Sequence, residues 1–484
     1  MAVALTLRAT AHYGPGAEPD SVTYLAAAHH LRSGGGFADI DGSPLTLFPP
    51  LFPAAVAVLE WFGLAPLSAA RLLNAVMLGI LVVLAAVWAR RISGSPWLGA
   101  VVAVVVAVAT PMVTMASDAL SEPVGIVALV ACLLFLTEAL RPDDHRLRWP
   151  VLAGLAAAAA CLTRYASIVL FPVGVAALLA QPGAWRARIR SLAMFLGAGG
   201  IPLAAWLARN MAAAGNATGD GRGTSALGLL TSLKLTLASV GAWVLPSTAP
   251  VVLQAAVGAA LCSAVVGGWW LSGAARRPGL PVALFVVLGV GSVAWFEWRM
   301  AIDPPPRFVL PVFVPLVVGA ALVAAEAQRR WSWRPGVTAL LVSAVVVASV
   351  PGVTIFERQA AQEGLLDYST PAWRSSPTLA YLRAHPLRGT VASDDPYVLD
   401  LDLGLPAEQT PARTYWASNE TTGELPPFVE QAARAGAAGL SVVWFPRSYQ
   451  SFLYSLADLE RAVCLRVEQH FADGDLLRPC TAGT

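Results

Sequence analysis

The chain has 484 residues, of which 56% are hydrophobic and 13% charged, with a formal net charge of +2. Soluble domains carry roughly 25% charged residues, so this deficit and a mean hydropathy of +0.63 exclude an ordinary soluble globule and place the chain among membrane proteins. The near-neutral balance leaves no nucleic-acid footprint.

The first eight residues, Met1 to Arg8, are apolar but too short to cross a bilayer, which needs about 20 apolar residues. They read either as a start on the outer face or as the remnant of a truncated first helix. Residues 9–67 read as an outer loop. It opens on Pro19-Asp20-Ser21-Val22-Thr23-Tyr24-Leu25 and runs through His29-His30-Leu31 to Gly34-Gly35-Gly36. Good candidate spans follow at 68–91, 96–115, 119–140, 189–210, 250–273, 280–299, 308–328 and 335–356. The run 150–181 has Arg141, Arg146 and Arg148 before it and Arg186, Arg188 and Arg190 after it. Both flanks are cytoplasmic by the positive-inside rule, so the run must cross an even number of times. It is expected to be a hairpin of two short helices turning near Leu162-Thr163-Arg164-Tyr165.

That gives about ten spans and puts Arg90-Arg91, Arg276-Arg277 and Arg329-Arg330 with Arg334 on the same side. Both chain ends are then outside. The segment 226–246, with Lys234 as the only lysine of the chain, reads as an interfacial or re-entrant helix on the outer face. From about residue 357 charge, Pro and Asp rise. The expected order there is helix 373–385, strand 389–394, helix 396–403, strand 411–416, helix 426–436, strand 439–445, helix 450–462 and a hairpin around Asp473-Gly474. Such alternation indicates a small α/β domain. The fold class is therefore an α-helical polytopic membrane protein, residues 1–357, with an extracytoplasmic α/β domain at 358–484. Cys464 and Cys480 lie in that domain and are able to pair if it is outside. Cys132, Cys161 and Cys262 read as packing residues.

Several charges break the positive-inside pattern. Arg164, Arg209, Arg299 and Arg307, with Arg222 in a loop, fall at the outer ends of spans beside Asp20, Asp39, Asp41, Asp118, Glu122, Glu297 and Asp303. A charge at mid-bilayer costs about 2.5–3.5 kcal/mol by insertion scales, and less near the interface. One reading is structural ion pairs or snorkelling side chains. The other is one polar cavity opening outward, whose arginines suit an anionic ligand because guanidinium binds phosphate oxygens in a fork.

At this point the motifs resemble a known family. Asp20-Ser21-Val22-Thr23-Tyr24 with Ala28 and Gly34-Gly35-Gly36, followed by Pro49-Pro50-Leu51-Phe52-Pro53, is similar to the first outer loop of GT-C-fold glycosyltransferases. Protein O-mannosyltransferases and lipid A aminoarabinose transferases belong to them. Ser121-Glu122-Pro123, Leu162-Thr163-Arg164-Tyr165, Trp206 with Arg209-Asn210, and Arg307-Phe308-Val309-Leu310-Pro311 follow in the family's order. The resemblance covers residues 15 to about 356. It implies transfer of a sugar, with inversion, from a polyprenyl-phosphate donor to an extracytoplasmic acceptor hydroxyl on lipid, cell-wall glycan or protein. The composition, rich in Ala, Gly and Pro with one lysine among 32 basic residues, reads as that of a GC-rich bacterial genome. The expectation is a multi-pass protein of a bacterial plasma membrane, with the site and the tail domain outside by the charge count.

Carried over residue by residue, the resemblance makes Asp20 the catalytic base and Asp118 the acid that follows the third span. Arg164, Arg209 and Arg307 are assigned to the donor phosphate, and Tyr24, Glu122, Tyr165 and Glu297 to substrate contact. Many members have a second acid where this chain has Ser21, so one carboxylate is expected here. Some members bind a divalent metal near these acids; no ligand set is apparent, and the metal stays open. Asp20 also suits a helix N-cap. The competing readings are a transporter or flippase of a lipid-linked saccharide, and a non-catalytic scaffold. No internal repeat supports a transporter.

Other motifs read as structural. Asp39-Ile40-Asp41 and Asp400-Leu401-Asp402 read as loop and surface acids, His29-His30 as a solvated helix face, and Ser393-Asp394-Asp395 as a strand-end turn.

Overall fold

A computed structural model describes residues 1–141, 147–219, 225, 227–246, 248–273, 276–299, 306–331, 351–415 and 420–480. The expected span 335–356 lies mostly outside the described residues, as do Arg222, Asp303 and Arg334. The helices are α1 (Ala2–Ala9), α2 (Pro19–Arg32), α3 (Leu51–Trp61), α4 (Pro66–Ser93), α5 (Pro96–Val108), α6 (Thr110–Ser117), α7 (Glu122–Ala139), α8 (Arg148–Cys161), α9 (Leu170–Leu179), α10 (Trp185–Ala214), α11 (Leu229–Gly241), α12 (Val251–Leu271), α13 (Arg276–Arg299) and α14 (Leu310–Trp331). Residues 351–363 form α15, which runs across residue 357.

Six of these helices are long and apolar enough to cross a membrane, and α5 with α6 makes a seventh, bent by 52°. The bend falls at Ala109. Pro111 lacks the N–H a continuous helix would use, and its ring would clash with the carbonyl four residues back. The run 150–181 is the expected hairpin. Helix α8 ends at Cys161, and a 3-10 turn (Tyr165–Val169) leads into α9. Each arm is shorter than a full span.

The arginine clusters gather at one end of the bundle. Arg91 and Arg141 flank Glu138 at 3.7 and 3.6 Å, joining the ends of α4 and α7. Arg330, at the end of α14, donates to the carbonyl of Leu271 at the end of α12. Helix α11 packs along α12 and α13. A Cβ at Gly241 would overlap the Gln254 carbonyl, and one at Gly258 would overlap the Leu237 carbonyl. These two glycines let α11 and α12 meet backbone to backbone, as small residues do between membrane helices. Helix α11 is therefore a packed member of the bundle. Helix α1 is packed too. Arg71 donates to Thr10 Oγ1 and to the Leu7 carbonyl, both at 2.6 Å, and Arg8 pairs with Glu357 at 3.3 Å.

The remaining elements are α16 (Pro371–Arg374), α17 (Pro377–Ala384), β1 (Thr390–Ser393), α18 (Pro396–Leu403), β2 (Glu408–Gln409), α19 (Leu425–Gly439), β3 (Leu440–Trp444), α20 (Leu456–Ala462), β4 (Leu465–Phe471) and β5 (Gly474–Pro479). The sheet order is β2-β1-β3-β5-β4, with β1 parallel to β2 and β3 and the rest antiparallel. Three expectations are corrected. The second strand is at 408–409, not 411–416: Thr410 N–H closes the ladder on the Ser393 carbonyl, and Pro411 has no N–H to continue it. Helix 373–385 is two helices, because Ser376 caps a new one that has Pro377 in its first turn. The helix expected from 450 begins at Leu456, where Ser455 and Asp458 form a capping box.

Cys464 and Cys480 form a disulfide at the ends of β4 and β5. It closes a loop with a sequence separation of 16, for which chain-entropy arguments give about 3 kcal/mol. Replacing both cysteines by serine is expected to lower stability by about that amount, read by thermal or denaturant unfolding. An unchanged transition would contradict it.

Asp394 ends β1. Phe445 N–H donates to its Oδ1 at 2.8 Å, and its Oδ2 is buried with no partner among the described residues. Burial pushes the Asp394 carboxyl up from 3.8 to about 8. A folded-state value above the unfolded one means that Asp394 favours folding fully below about pH 4 and loses that contribution as pH rises through about 8. Asp394→Asn is expected to flatten the decline of Tm over that window. An unaltered slope would contradict this.

Candidate functional site

Glu18 is the N-cap of α2, Pro19 its first residue, and Ser21 sits at the third position. Ser21 Oγ accepts the Glu18 N–H at 3.2 Å, completing a capping box. This explains the serine: it fixes the turn that presents the acids on either side of Pro19. Glu18 and Asp20 both reach Arg307, Asp20 Oδ2 at 3.0 Å. The expectation of a single carboxylate in this loop is therefore corrected, since Glu18 supplies a second one two residues upstream. The sequence signal was there as Glu-Pro-Asp-Ser, a proline-led helix start with an acid on each side.

Arg307 belongs to a 3-10 turn (Pro306–Val309) that leads into α14. Its Nε also faces Glu122 Oε1 at 3.9 Å. Glu122, the first residue of α7, accepts from Arg164 at 2.7 Å. Arg164 lies in the tip of the α8–α9 hairpin and also contacts Ser121 Oγ at 3.4 Å. Tyr24 hydroxyl and Ser121 Oγ share a hydrogen bond at 3.0 Å. Phe308 lies beneath both guanidinium groups, with ring centroids 5.5 and 5.4 Å from Arg164 and Arg307.

Asp118 follows α6 directly and is buried. Its backbone is fixed by Asn74 of α4, whose side-chain amide donates to the carbonyls of Asp118 and Leu120 at 2.7 and 2.9 Å. Burial, then the charges of Glu122 and Glu18, hold the Asp118 carboxyl well above the usual carboxylate range, against a smaller opposing effect of Arg307. Asp118, Glu18, Asp20, Glu122, Arg164, Arg307 and Tyr24 thus form one cluster at the end of the bundle opposite the arginine clusters. Burial likewise raises Glu18, although Arg307 opposes it.

The other expected site residues lie apart from this cluster. Arg209 donates to the Leu45 and Phe37 carbonyls at 2.7 and 3.0 Å. Tyr165 donates to the Thr46 carbonyl at 3.0 Å and accepts from Trp206 and Asn210 at 2.8 and 3.2 Å. Together they clamp residues 37–46 of the outer loop onto α10 and the hairpin tip. Glu297 is buried and accepts from Thr236 Oγ1 at 3.2 Å, joining α13 to α11. A groove of about 670 Å³ on the outer domain, between β2 and α19, shares no residue with the cluster. Asp39 and Asp41 cap their own loop by accepting from the N–H groups of Ile40 and Ser43. Asp402 pairs with Arg383.

Among the described residues no group of three or more His, Cys, Asp and Glu side chains is arranged to hold a metal ion. Glu18, Asp20 and Glu122 converge on the guanidinium groups of Arg164 and Arg307.

Residues 49–208 match the family model described as dolichyl-phosphate-mannose-protein mannosyltransferase. No curated protein matches the chain. Among solved structures, ArnT from Cupriavidus metallidurans in the apo state is similar at 15% identity and a TM-score of 0.64, covering 98% of this chain and 96% of that one. The same protein bound to undecaprenyl phosphate matches at 15% identity, a TM-score of 0.59 and coverages of 99% and 97%. The oligosaccharyltransferase AglB from Archaeoglobus fulgidus, in complex with an inhibitory peptide and a dolichol-phosphate, matches at 12% identity and a TM-score of 0.55, with coverages of 92% and 68%. The chain has the GT-C fold, with an α/β domain after the helical bundle.

Glu122 is the acid most enclosed by the cluster, and both guanidinium groups share its Oε1. Breaking a buried pair by removing one partner costs about 3–5 kcal/mol. Glu122→Gln is expected to destabilise the protein by an amount in that range, measured by thermal unfolding in detergent. Asp20→Asn, at a more exposed position, is expected to change stability by less than about 1 kcal/mol. Equal effects of the two would contradict this division.

Proposed function

We propose that this chain is a membrane glycosyltransferase that moves a sugar from a polyprenyl-phosphate donor to an acceptor hydroxyl on the outer face of the membrane. The observation that carries the proposal is the cluster itself. It gathers acids and arginines at one end of a GT-C bundle, where intramembrane or interfacial charges are functional candidates by default. The family-model match over residues 49–208 and the lipid-phosphate complexes of the similar structures support a donor of this class.

Charge and access divide the roles. Three carboxylates, Glu18, Asp20 and Glu122, pair with the two guanidinium groups of Arg164 and Arg307. Glu122 is 2% exposed and Glu18 19%, while Asp20 is 32% exposed. The accessible partner of Arg307 is therefore Asp20. A donor phosphate arriving at this exposed side takes its place on the guanidinium, which binds phosphate oxygens in the same fork geometry. The released Asp20 carboxylate is then free to accept a proton.

In the transfer the bond from the anomeric carbon to the phosphate oxygen breaks, and a bond to the acceptor oxygen forms. The acceptor proton passes to a carboxylate, and the electron pair leaves on the lipid phosphate. General-base help of this kind contributes about 10²–10⁴-fold, and the fixed guanidinium groups stabilise the leaving phosphate without reorganising. Asp118, buried beside the segment that leads into Asp20, is assigned as the second carboxyl of the site. With attack and departure on opposite faces, the anomeric configuration inverts. Arg209 and Tyr165 act by holding the outer loop over the site.

The test is purified protein with a radiolabelled polyprenyl-phosphate sugar and candidate acceptors. Wild type is expected to release free polyprenyl phosphate. Asp20→Asn and Asp118→Asn are each expected to reduce release by at least about 100-fold while remaining folded. Near-normal release by Asp20→Asn would remove it as base. Movement of intact donor across a vesicle membrane without cleavage would replace the enzyme with a flippase.

A further inference from the structure

Residues 15–17, which lead into Glu18 and Asp20, run extended between two other segments. On one side lies the α6–α7 connection. Gly16 N–H donates to the Ser117 carbonyl at 2.9 Å, and Ala119 N–H donates to the Gly16 carbonyl at 2.7 Å, so that Gly16 lies parallel to Asp118. On the other side lies the segment that leads into the outer domain. Ala17 bridges Asp367 in parallel, Tyr368 N–H donates to the Ala17 carbonyl at 3.0 Å, and Ser369 Oγ donates to the Pro15 carbonyl at 2.5 Å. Three segments distant in sequence thus form one small ladder; Asp118 lies on one edge of it, and its middle segment leads directly into Glu18 and Asp20.

The ladder is tied to the outer domain through one buried side chain. Tyr368 hydroxyl donates to Asp395 Oδ1 at 2.6 Å, just beyond the end of β1, and its ring packs edge-on against Trp373. At the other end, Gly16 has no room for a side chain. A Cβ there would overlap Asp118 Oδ1 and would sit 3.2 Å from Leu365 Cβ.

We infer that Tyr368 and Ser369 are positioning residues: the outer domain sets the spacing of Asp20 and Asp118 by supplying the third segment of this ladder. The inference rests on the functional reading above for its catalytic consequence, but not for its structural one. An α/β domain appended to a membrane bundle then has a role at the reacting centre without contacting substrate. Backbone pairing suits this role, because displacement of a reacting group by about 1 Å can cost 10²-fold in rate.

Tyr368→Phe removes one oxygen and keeps the ring against Trp373; Ser369→Ala removes the bond to Pro15. Hydrogen exchange is read first, in the full-length protein in detergent. Both variants are expected to exchange faster at the amides of Gly16 and Ala119, although these lie far from the substitution in sequence. Turnover is read second. Tyr368→Phe is expected to lower kcat for donor cleavage by about 10-fold and Gly16→Ala by about 100-fold, with donor KM within about two-fold of wild type. The acid limb of the pH profile is expected to move in Gly16→Ala, where Asp118 is displaced. Unchanged exchange at Gly16 and Ala119 in both Tyr368→Phe and Ser369→Ala would overturn the inference, as would a fall in kcat matched by the loss of folded protein. If wild type cleaves no donor, the functional reading fails, and the exchange measurement still decides the ladder.

Discussion

Arg307 holds the end of the bundle that carries the site together. Its guanidinium, at the start of α14, joins two acids from the first turn of α2 and faces a third at the start of α7. Elements separated by nearly 290 residues meet on one charged group. A half-buried guanidinium needs such partners, because desolvating a charge without a counter-charge costs several kcal/mol. The acids need it equally, and Glu122 extends the network to Arg164. Arg164, Arg307, Asp20 and Glu122, four of the charges that depart from the positive-inside pattern, are thus tied with Glu18 in one mutual neutralisation. It is incomplete by one negative charge, and its exposed corner is Asp20.

The two ends of the bundle follow different physics. At one end arginines outnumber acids, with Glu138 and Glu326 each flanked by two of them. At the other, signs are mixed and paired, and the surrounding loops are held down by backbone bonds. Arg209, Tyr165, Trp206 and Asn210 form a clamp on residues 37–46. The C-terminal α/β domain adds to this, where α18 packs on α2 and Leu401 joins the apolar cluster that contains Tyr24 and Phe52. A reactive carboxyl on a loop needs such support, since loops alone hold geometry loosely.

The bundle was legible because apolar runs and arginine flanks report a bilayer directly. Even the short hairpin at 150–181 followed from charge parity. The outer domain was legible where caps and turns are local, as at 396–403 and at the hairpin of Asp473-Gly474. It was less so where one proline decided the end of a strand, as Pro411 does for β2. In the site, the residue types at Asp20, Glu122, Arg164 and Arg307 pointed to a common place, and the fold brings these four side chains together. Which arginine meets which acid was not legible, because pairing depends on how α14 sits against α2 and α7. Arg209 looked the same as Arg307 in sequence, yet its partners are carbonyls. Glu18 is not marked by the family resemblance, whose second acid falls at Ser21, the residue after Asp20.

The most direct measurement is a structure of the full-length protein with undecaprenyl phosphate bound. The account predicts phosphate oxygens on the Arg307 guanidinium, Asp20 released from it, and Glu18 and Glu122 still in place. Lipid phosphate bound elsewhere, with the Arg307–Asp20 pair intact, would contradict it.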